Sequence, residues 1–544
     1  GEQNMLNAWG GIEAGNYIGL WKVNDTNNGF EFINEKSMRF GDFKVIGSTT
    51  WRPESRHTLW YTTPATLTGA GNIWMEYSLP LGNGQLGASM FNGVSRDQLL
   101  INDKALWSGS PTSYGYFLNF GSIYVDMLDE AGFGQSEEDA AINYYRALDL
   151  TTATGVSGFS TADGSVNYKR EYIVSNPDGV VAMHISADQP GKIFQTYTLD
   201  SKPGLSATTK YEDGEAYYYG SLETVKYSCR MKVIPTGGTI TTDANGGITV
   251  KGADEVLVIL RAATDFDNHK ATYTTGVTVA QLHNAVKDAV DAAAAKGWES
   301  LLADHVADHQ KYYNRVNFNI GGAENNIPTN ELVDEYNKTT ATDVHKMLEE
   351  LYFSYGRYLE IASSRGVDLP SNLQGIWNNV AQAPWHSDIH ANINVQMNYW
   401  PAESTNLSEM HMPFLNYITT MAESNEWKKN ARNAGQTIGW TCYTENNIFG
   451  GGSTYAMNYV IANAWYCSHL WQHYCYTLDK EYLAKAFPAM WSCTLFWTER
   501  MILEAATDTY VCTNEFSPEQ NGINENGVPH AQQILAYLFD TTLE

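Results

Sequence analysis

Basic residues are scarce in this chain. Lysine and arginine total 34 against 61 aspartates and glutamates, a formal charge of −27 over 544 residues. That imbalance repels phosphate backbones and anionic lipid, so nucleic acid and acidic membrane surfaces are poor partners. No run of about 18 apolar residues occurs, which excludes a membrane-spanning helix. The 6 cysteines, at 229, 442, 467, 475, 493 and 512, include no CxxC pair and form no zinc motif. Cys467 and Cys475 are too far apart in one expected helix to bridge, and most of the six read as buried thiols. Gly1 is not followed by a basic-then-apolar leader, so any signal peptide is expected to have been removed or never present.

What is abundant is aromatic: 16 Trp and 34 Tyr. Most belong in a core, but indole and phenol faces also stack on the C–H faces of pyranose rings. One stretch concentrates such groups with amides and imidazoles. Residues 386–403 read HSDIHANINVQMNYWPAE. His390, Asn392 and Asn394 are spaced by two, which places them on one face of an extended segment but not of a helix. The expectation is extended chain over 386–394, then a short or kinked helix, because Pro401 falls inside it.

The length argues for more than one domain. Residues 1–57 form an N-terminal extension with short strand-like runs. Residues 58–277 carry closely spaced alternating runs such as IFQTYTLD and EVLVILRAA, which read as an antiparallel β-sandwich. Within it, residues 127–148 look like a helical insertion. Gly82, Gly84 and Gly87 formally match GxGxxG, but no strand-to-helix context surrounds them, so they read as turn glycines and no cofactor is expected. Residues 278–325 change period and predict two helices around Gly297, a helical linker. Residues 326–544 then alternate helices, near 344–362, 408–430, 456–477, 480–504 and 529–543, with long polar loops. That pattern suggests an (α/α)6-type toroid, here with roughly half the helices a closed ring needs.

Glycosidic bonds are cleaved by paired carboxyl groups, more widely spaced when a water must fit between. The loop VCTNEFSPEQNG offers Glu519 and, four residues earlier, Glu515. Residue chemistry alone stops at a carbohydrate-active protein.

The motifs go further. EYSLPLGNGQLGASMFNG (76–93), INDKALWSGSP (101–111), HVADHQKYYNRV (305–316), LPSNLQGIWNN (369–379), PWHSDIHANINVQMNYWPAESTNLSE (384–409), ANAWYCSHLWQHYCYTLDKEYL (462–483) and SPEQ (517–520) occur in order. Together they resemble glycoside hydrolase family 95, the inverting α-L-fucosidases, over most of 60–544. The resemblance implies a β-sandwich (supersandwich), a helical linker and an (α/α) toroid, acting on a fucosylated oligosaccharide or glycan without cofactor or metal. It implies that Glu519, the Glu of SPE, is the general acid and that Asn392 and Asn394 hold and polarise the attacking water. It implies that His390 contacts the sugar near C5, a position where some relatives carry Thr and accept L-galactose. Gln374, Trp377, Trp385, Tyr399 and Trp400 become candidate walls of the cleft.

One departure counts against simple transfer. The family's Asp, which activates water through the amides, lies in a motif like QxDGNFG, and none occurs here. The expectation is a chain resembling the N-terminal two-thirds of the family, poorly active alone and completed by a further C-terminal segment. The leading reading is an exo-acting fucosidase that releases terminal α-L-fucose, expected to be α-1,2-linked, by inversion. Alternatives are an α-L-galactosidase, a phosphorylase on the same scaffold, and a non-catalytic glycan-binding relative. A secreted or periplasmic bacterial location is expected.

Overall fold

A computed structural model describes residues 49–65, 73–131, 141–201, 203–244, 246–338, 342–453, 459–518 and 524–544, with three short strands before them, Trp21–Asn24, Gly29–Phe32 and Val45–Ile46. Two sheets face each other in the first half. The larger runs, in spatial order, Lys210–Glu212, Glu215–Ser221, Lys226–Thr236, Glu255–Thr264, Val180–Ala187, Asn167–Ser175, Thr154–Ser160 and Ala141–Asp149. The smaller runs Thr239–Asp243, Gly247–Ala253, Ile193–Ser201, Gly121–Met127, Arg96–Asp103, Leu86–Met90 and Leu79–Gly82. All these pairings are antiparallel, so the sandwich is as expected. Period two is visible in Ile193–Ser201, where Ile193, Gln195, Tyr197 and Leu199 are buried and their neighbours are not. The inward Gln195 costs little, because Tyr197 Oη donates to its Oε1 at 2.6 Å.

The expected helix over 127–148 is corrected. Residues 132–140 lie outside the described residues, and Ala141–Asp149 is a strand paired with Thr154–Ser160 on one side and Thr58–Tyr61 on the other. Arg146 locks it there, donating through Nε to Thr63 O at 3.0 Å and through Nη1 to Tyr77 O at 2.5 Å. Sheet pairing on both edges overrides the helical look of an Ala- and Glu-rich run.

Two linker helices, Val279–Lys296 and Trp298–Tyr313, meet at Gly297. The first starts with a capping box between Thr278 and Gln281. The second lies on the sandwich, its buried His305 and His309 donating Nε2–H to Ala153 O (3.1 Å) and Leu150 O (2.8 Å). Arg357 caps its far end, donating to the carbonyls of Tyr312 (3.1 Å) and Tyr313 (2.9 Å), where helix geometry leaves carbonyls open.

The helical half comprises Asp343–Ser363, Asn394–Ser404, Ser408–Ala422, Asn425–Asn433, Ala462–Thr477, Lys480–Arg500 and Pro529–Leu543, with Thr329–Lys338 before them. Three expected helices are shorter than read, the one near 456–477 beginning only at Ala462. The one near 408–430 breaks at Ser424, whose hydroxyl caps a new helix by accepting from Trp427 N at 3.2 Å. The one near 480–504 stops at Arg500, and Ile502–Glu504 pairs with Thr509–Val511.

The halves interlock. The GxGxxG stretch is a hairpin turn between Leu79–Gly82 and Leu86–Met90. Gly84 sits at φ +92°, its N–H donating to Ala362 O (2.7 Å) and its carbonyl accepting from Arg365 N (3.1 Å). Buried Lys104, from the smaller sheet's loop, donates to Arg365 O (2.5 Å) and Leu369 O (3.0 Å). Trp107 and Phe117, from the same loop region, belong to the apolar core of the helical half, with Ile389, Val395, Tyr399 and Phe414.

Candidate active site

The 386–403 stretch begins with strain. Trp385, His386 and Ser387 take φ of 46°, 59° and 52°, three successive non-glycine residues in the left-handed region. Each costs on the order of 1 kcal/mol. Interactions with the sandwich offset it. The His386 ring is stacked between Tyr114 (4.1 Å) and Tyr116 (4.0 Å), its Nδ1–H donates to Gly115 O at 2.5 Å, and its carbonyl accepts from Phe117 N at 3.0 Å. Ser387 Oγ donates to Asn372 Oδ1 at 2.9 Å. The result is an indole held out into solvent: Trp385 is 69% exposed.

The expected extended run is corrected to two residues. Ile389–His390 pairs with Glu445–Asn446, then 391–393 turn, and Asn394 opens the helix that contains Pro401. His390, Asn392 and Asn394 therefore follow a strand–turn–helix corner and do not alternate along one strand. Ala391 N donating to Thr444 O (2.7 Å) and Gln396 Nε2 donating to Ala391 O (2.6 Å) fix that corner. All three side chains are half-buried.

His390 has a defined orientation. Its Nδ1 lies 3.0 Å from Asp388 Oδ1, and Asp388 Oδ2 accepts from Tyr114 Oη at 2.7 Å. Asp388 is fully buried, and burial pushes its carboxyl up against the opposing pull of His390 and Tyr114.

The expected cleft walls divide. Trp385 and Trp400 (46% exposed) stand at the surface. Tyr399 is no wall. It is fully buried, shares a 2.7 Å hydrogen bond with Ser364 Oγ, accepts from Ser371 N at 2.8 Å, and stacks on His411 and Phe414. Gln374 and Trp377 line a different space, a cavity of about 430 Å³ shared with Trp74, Tyr355, Glu360 and Asn398. Trp377 is itself mostly buried, donating Nε1–H to Leu81 O at 2.8 Å. Nothing in the sequence pointed to Glu360 or Asp388's partner Tyr114.

Glu519 lies outside the described residues. Glu515, the alternative acid, is fully buried on the short strand Glu515–Phe516, which pairs with Asn524–Glu525. Its Oε1 accepts from Arg500 Nε at 3.0 Å, yet burial pushes the carboxyl up to about 8. A side chain sealed from solvent and paired with Arg500 is not placed to reach a glycosidic oxygen.

Beneath the corner, Glu403 Oε1 accepts from His411 Nδ1 (2.7 Å) and His473 Nδ1 (2.6 Å), Ser408 Oγ donates to its Oε2 (2.5 Å), and His411 Nε2 meets His469 Nδ1 (3.0 Å). These donor types would suit a cation. Their spacing is that of N–H···O bonds, closer than the roughly 3.3 Å between two ligands of a tetrahedral ion with ~2.0 Å bonds. Despite burial, the three donors hold Glu403 down at about 2.

An antiparallel sandwich joined through two helices to an (α/α)-type helical half, with a strained aromatic loop at their junction, defines a sandwich-plus-toroid protein. Residues 297–544 match the glycosyl hydrolase family 95 catalytic domain, and residues 59–117 and 112–269 match the glycosyl hydrolase family 65 N-terminal domain. The helical half, residues 297–544, is thus similar to the catalytic domain of glycoside hydrolase family 95. It is 29% identical over 533 residues to Alpha-L-fucosidase 2 of Arabidopsis thaliana, covering 84% of this chain and 60% of that protein. It is 28% identical over 552 residues to the Aspergillus niger protein named Probable alpha-fucosidase A, covering 90% of this chain and 67% of that one. Among solved structures, one titled "Putative kojibiose phosphorylase from human microbiome" aligns with TM-score 0.63 at 10% identity, covering 90% of this chain and 65% of that chain. That likeness speaks for the shared fold.

Proposed function

We propose that this chain belongs to an exo-acting glycoside hydrolase that releases terminal α-L-fucose, α-1,2-linked, from glycans with inversion. The observation that supports it most is the family 95 match across 297–544, which contains every residue given a role here except Tyr114. The Arabidopsis relative's name points the same way.

In this reading Glu519 protonates the departing oxygen. Asn392 and Asn394, at the strand–turn–helix corner, hold the attacking water. His390 reads the sugar, and Trp385 is an exposed stacking surface for it. An amide is too weak a base to work alone. Asp388 is committed to His390 and Tyr114, so the base is a separate carboxylate, and a segment completing the toroid is proposed to supply it. An exported protein, secreted or periplasmic, would meet such glycans. Among the described residues no helix is long and apolar enough to cross a membrane.

The test is incubation of 2′-fucosylated lactose with a form of the protein that includes the segment proposed to supply the base, while NMR follows the anomer. First appearance of β-L-fucose is expected. Glu519→Gln should lower turnover by about two to four orders of magnitude while leaving sugar binding intact, because only proton donation is lost. Activity within a few-fold of wild type would remove Glu519 from the mechanism. Preference for L-galactosides would favour the galactosidase reading, and tight binding without turnover the glycan-binding one.

A further inference from the structure

Three side chains from both halves of the fold form a line that ends at His390. Tyr114 comes from the sandwich loop, which is tightly held. Trp107 Nε1 donates to Tyr114 O at 2.8 Å, and Asn447 Nδ2 donates to the carbonyls of Ser110 (2.8 Å), Ser113 (3.1 Å) and Tyr114 (3.2 Å). The Tyr114 ring is fixed against His386. Asp388 is anchored through its carbonyl, which accepts from Leu373 N at 3.2 Å. Each of its carboxylate oxygens then meets one partner, Tyr114 Oη on Oδ2 and His390 Nδ1 on Oδ1.

A carboxylate is an acceptor only. Tyr114 must therefore point its O–H at Asp388, and His390 must carry its hydrogen on Nδ1. In the neutral imidazole this leaves the lone pair on Nε2. The same arrangement limits rotation of the ring. Among the described residues, other titratable groups around the carboxylate include Glu445, register partner of His390 on the paired strand, and the phenols of Tyr417 and Tyr466.

We propose that Tyr114 and Asp388 are positioning residues that set the tautomer and orientation of His390, so that the sandwich half takes part in sugar recognition by the helical half. This rests on the reading that His390 touches L-fucose.

Two measurements on the 544-residue chain test it separately. The first is long-range 1H–15N correlation of histidine-labelled protein, with the His390 signals identified by their loss in His390→Gln. Wild type is expected to show the Nδ1–H form. Asp388→Asn should disturb that tautomer, because an amide nitrogen turned toward Nδ1 can only donate. Tyr114→Phe keeps the ring that stacks on His386 and removes one oxygen, so the fold persists while the His390 shifts move. The second is L-fucose titration by calorimetry. About tenfold weaker binding is expected in Tyr114→Phe and a larger loss in Asp388→Asn, with the L-fucose to L-galactose preference reduced in both. Unchanged His390 shifts in both variants would overturn the positioning role, with or without sugar binding. Shifts that move while L-fucose affinity stays constant would overturn the recognition role. Wild-type protein that does not bind L-fucose would overturn the functional reading, and the nitrogen shifts would still decide the relay.

Discussion

Glu360 is an acid whose surroundings suit a charge poorly. It lies on Asp343–Ser363 and opens on the cavity that also holds Gln374 and Ser89. Among the described residues, Glu360 Oε1, Gln374 Oε1 and Ser89 Oγ are buried without hydrogen-bond partners. Burial alone drives the Glu360 carboxyl well above its ordinary range. The folded chain therefore holds its proton after the unfolded chain has lost it. Stability from this group is full below about 4.5 and declines as pH rises above that, by up to about 1.4 kcal/mol per pH unit until the folded value is passed. Glu360→Gln removes that dependence. In urea unfolding at pH 5 and pH 8, the variant should lose less stability across the interval than wild type, by at most about 4 kcal/mol, the limit for one proton over three pH units. Equal losses would show that Glu360 is ionised and paired. The sequence hid this residue for a physical reason. Between Tyr358, Leu359 and Ile361 it reads as the polar edge of an amphipathic helix, and helical period says nothing about a second domain covering that edge. Tyr399 was misplaced by the opposite route: its phenol belongs to a polar stretch, but its partners, Ser364 and Ser371, come from an adjoining helix end and loop.

Elements were legible where one periodicity sufficed. The linker helices and Asp343–Ser363 follow their apolar spacing closely, because each needs only one face against a neighbour. Ala141–Asp149 was not legible, since its state is set by the two strands beside it. The His390 corner was half legible. Twofold spacing suggested extension, but the strand ends after Ile389–His390, where Glu445–Asn446, its partner, also ends. The turn at Gly84 shows the same limit in a useful form. Its residues announced a turn, while the reason for glycine is a remote one: a Cβ there would fall 2.1 Å from Arg365 Cβ and 2.4 Å from Arg365 N. Gly84→Ala must displace backbone and also adopt φ +92° with a side chain. A loss of about 3 kcal/mol or more is expected, beyond the ~1 kcal/mol of left-handed strain alone. Thermal melting checks it: a shift within a degree of wild type would mean that the hairpin does not bear on the helix end.

At the scale of the whole molecule, buried neutral imidazoles tie the parts together. His305 and His309 join the linker to the sandwich, and His411 and His469 sit with Glu403 inside the helical half. Burial lowers all four histidines, with His309 down at about 3. The sign follows from proton counting. Between about 3 and 6.5 the unfolded chain binds a proton at His309 that the folded chain does not, so stability is full above 6.5 and is lost as pH falls. Glu403, held at about 2, acts in the same direction over a lower window, losing its contribution from about 4.5 down to 2. The molecule should therefore be acid-sensitive first through its histidines and only later through this carboxylate. From pH 6.5 to 5, His309 alone accounts for about 2 kcal/mol, being 1.36 kcal/mol per unit for one proton. His309→Gln isolates the effect, because the amide still donates to Leu150 O but does not titrate. The variant should start less stable near neutrality from imperfect packing. Its urea midpoint should then fall less between pH 7.5 and pH 5 than the wild-type midpoint, by the equivalent of about 2 kcal/mol. Parallel declines would mean that His309 opens to solvent and is protonated in the folded protein, and that the linker helix is not sealed on the sandwich through it.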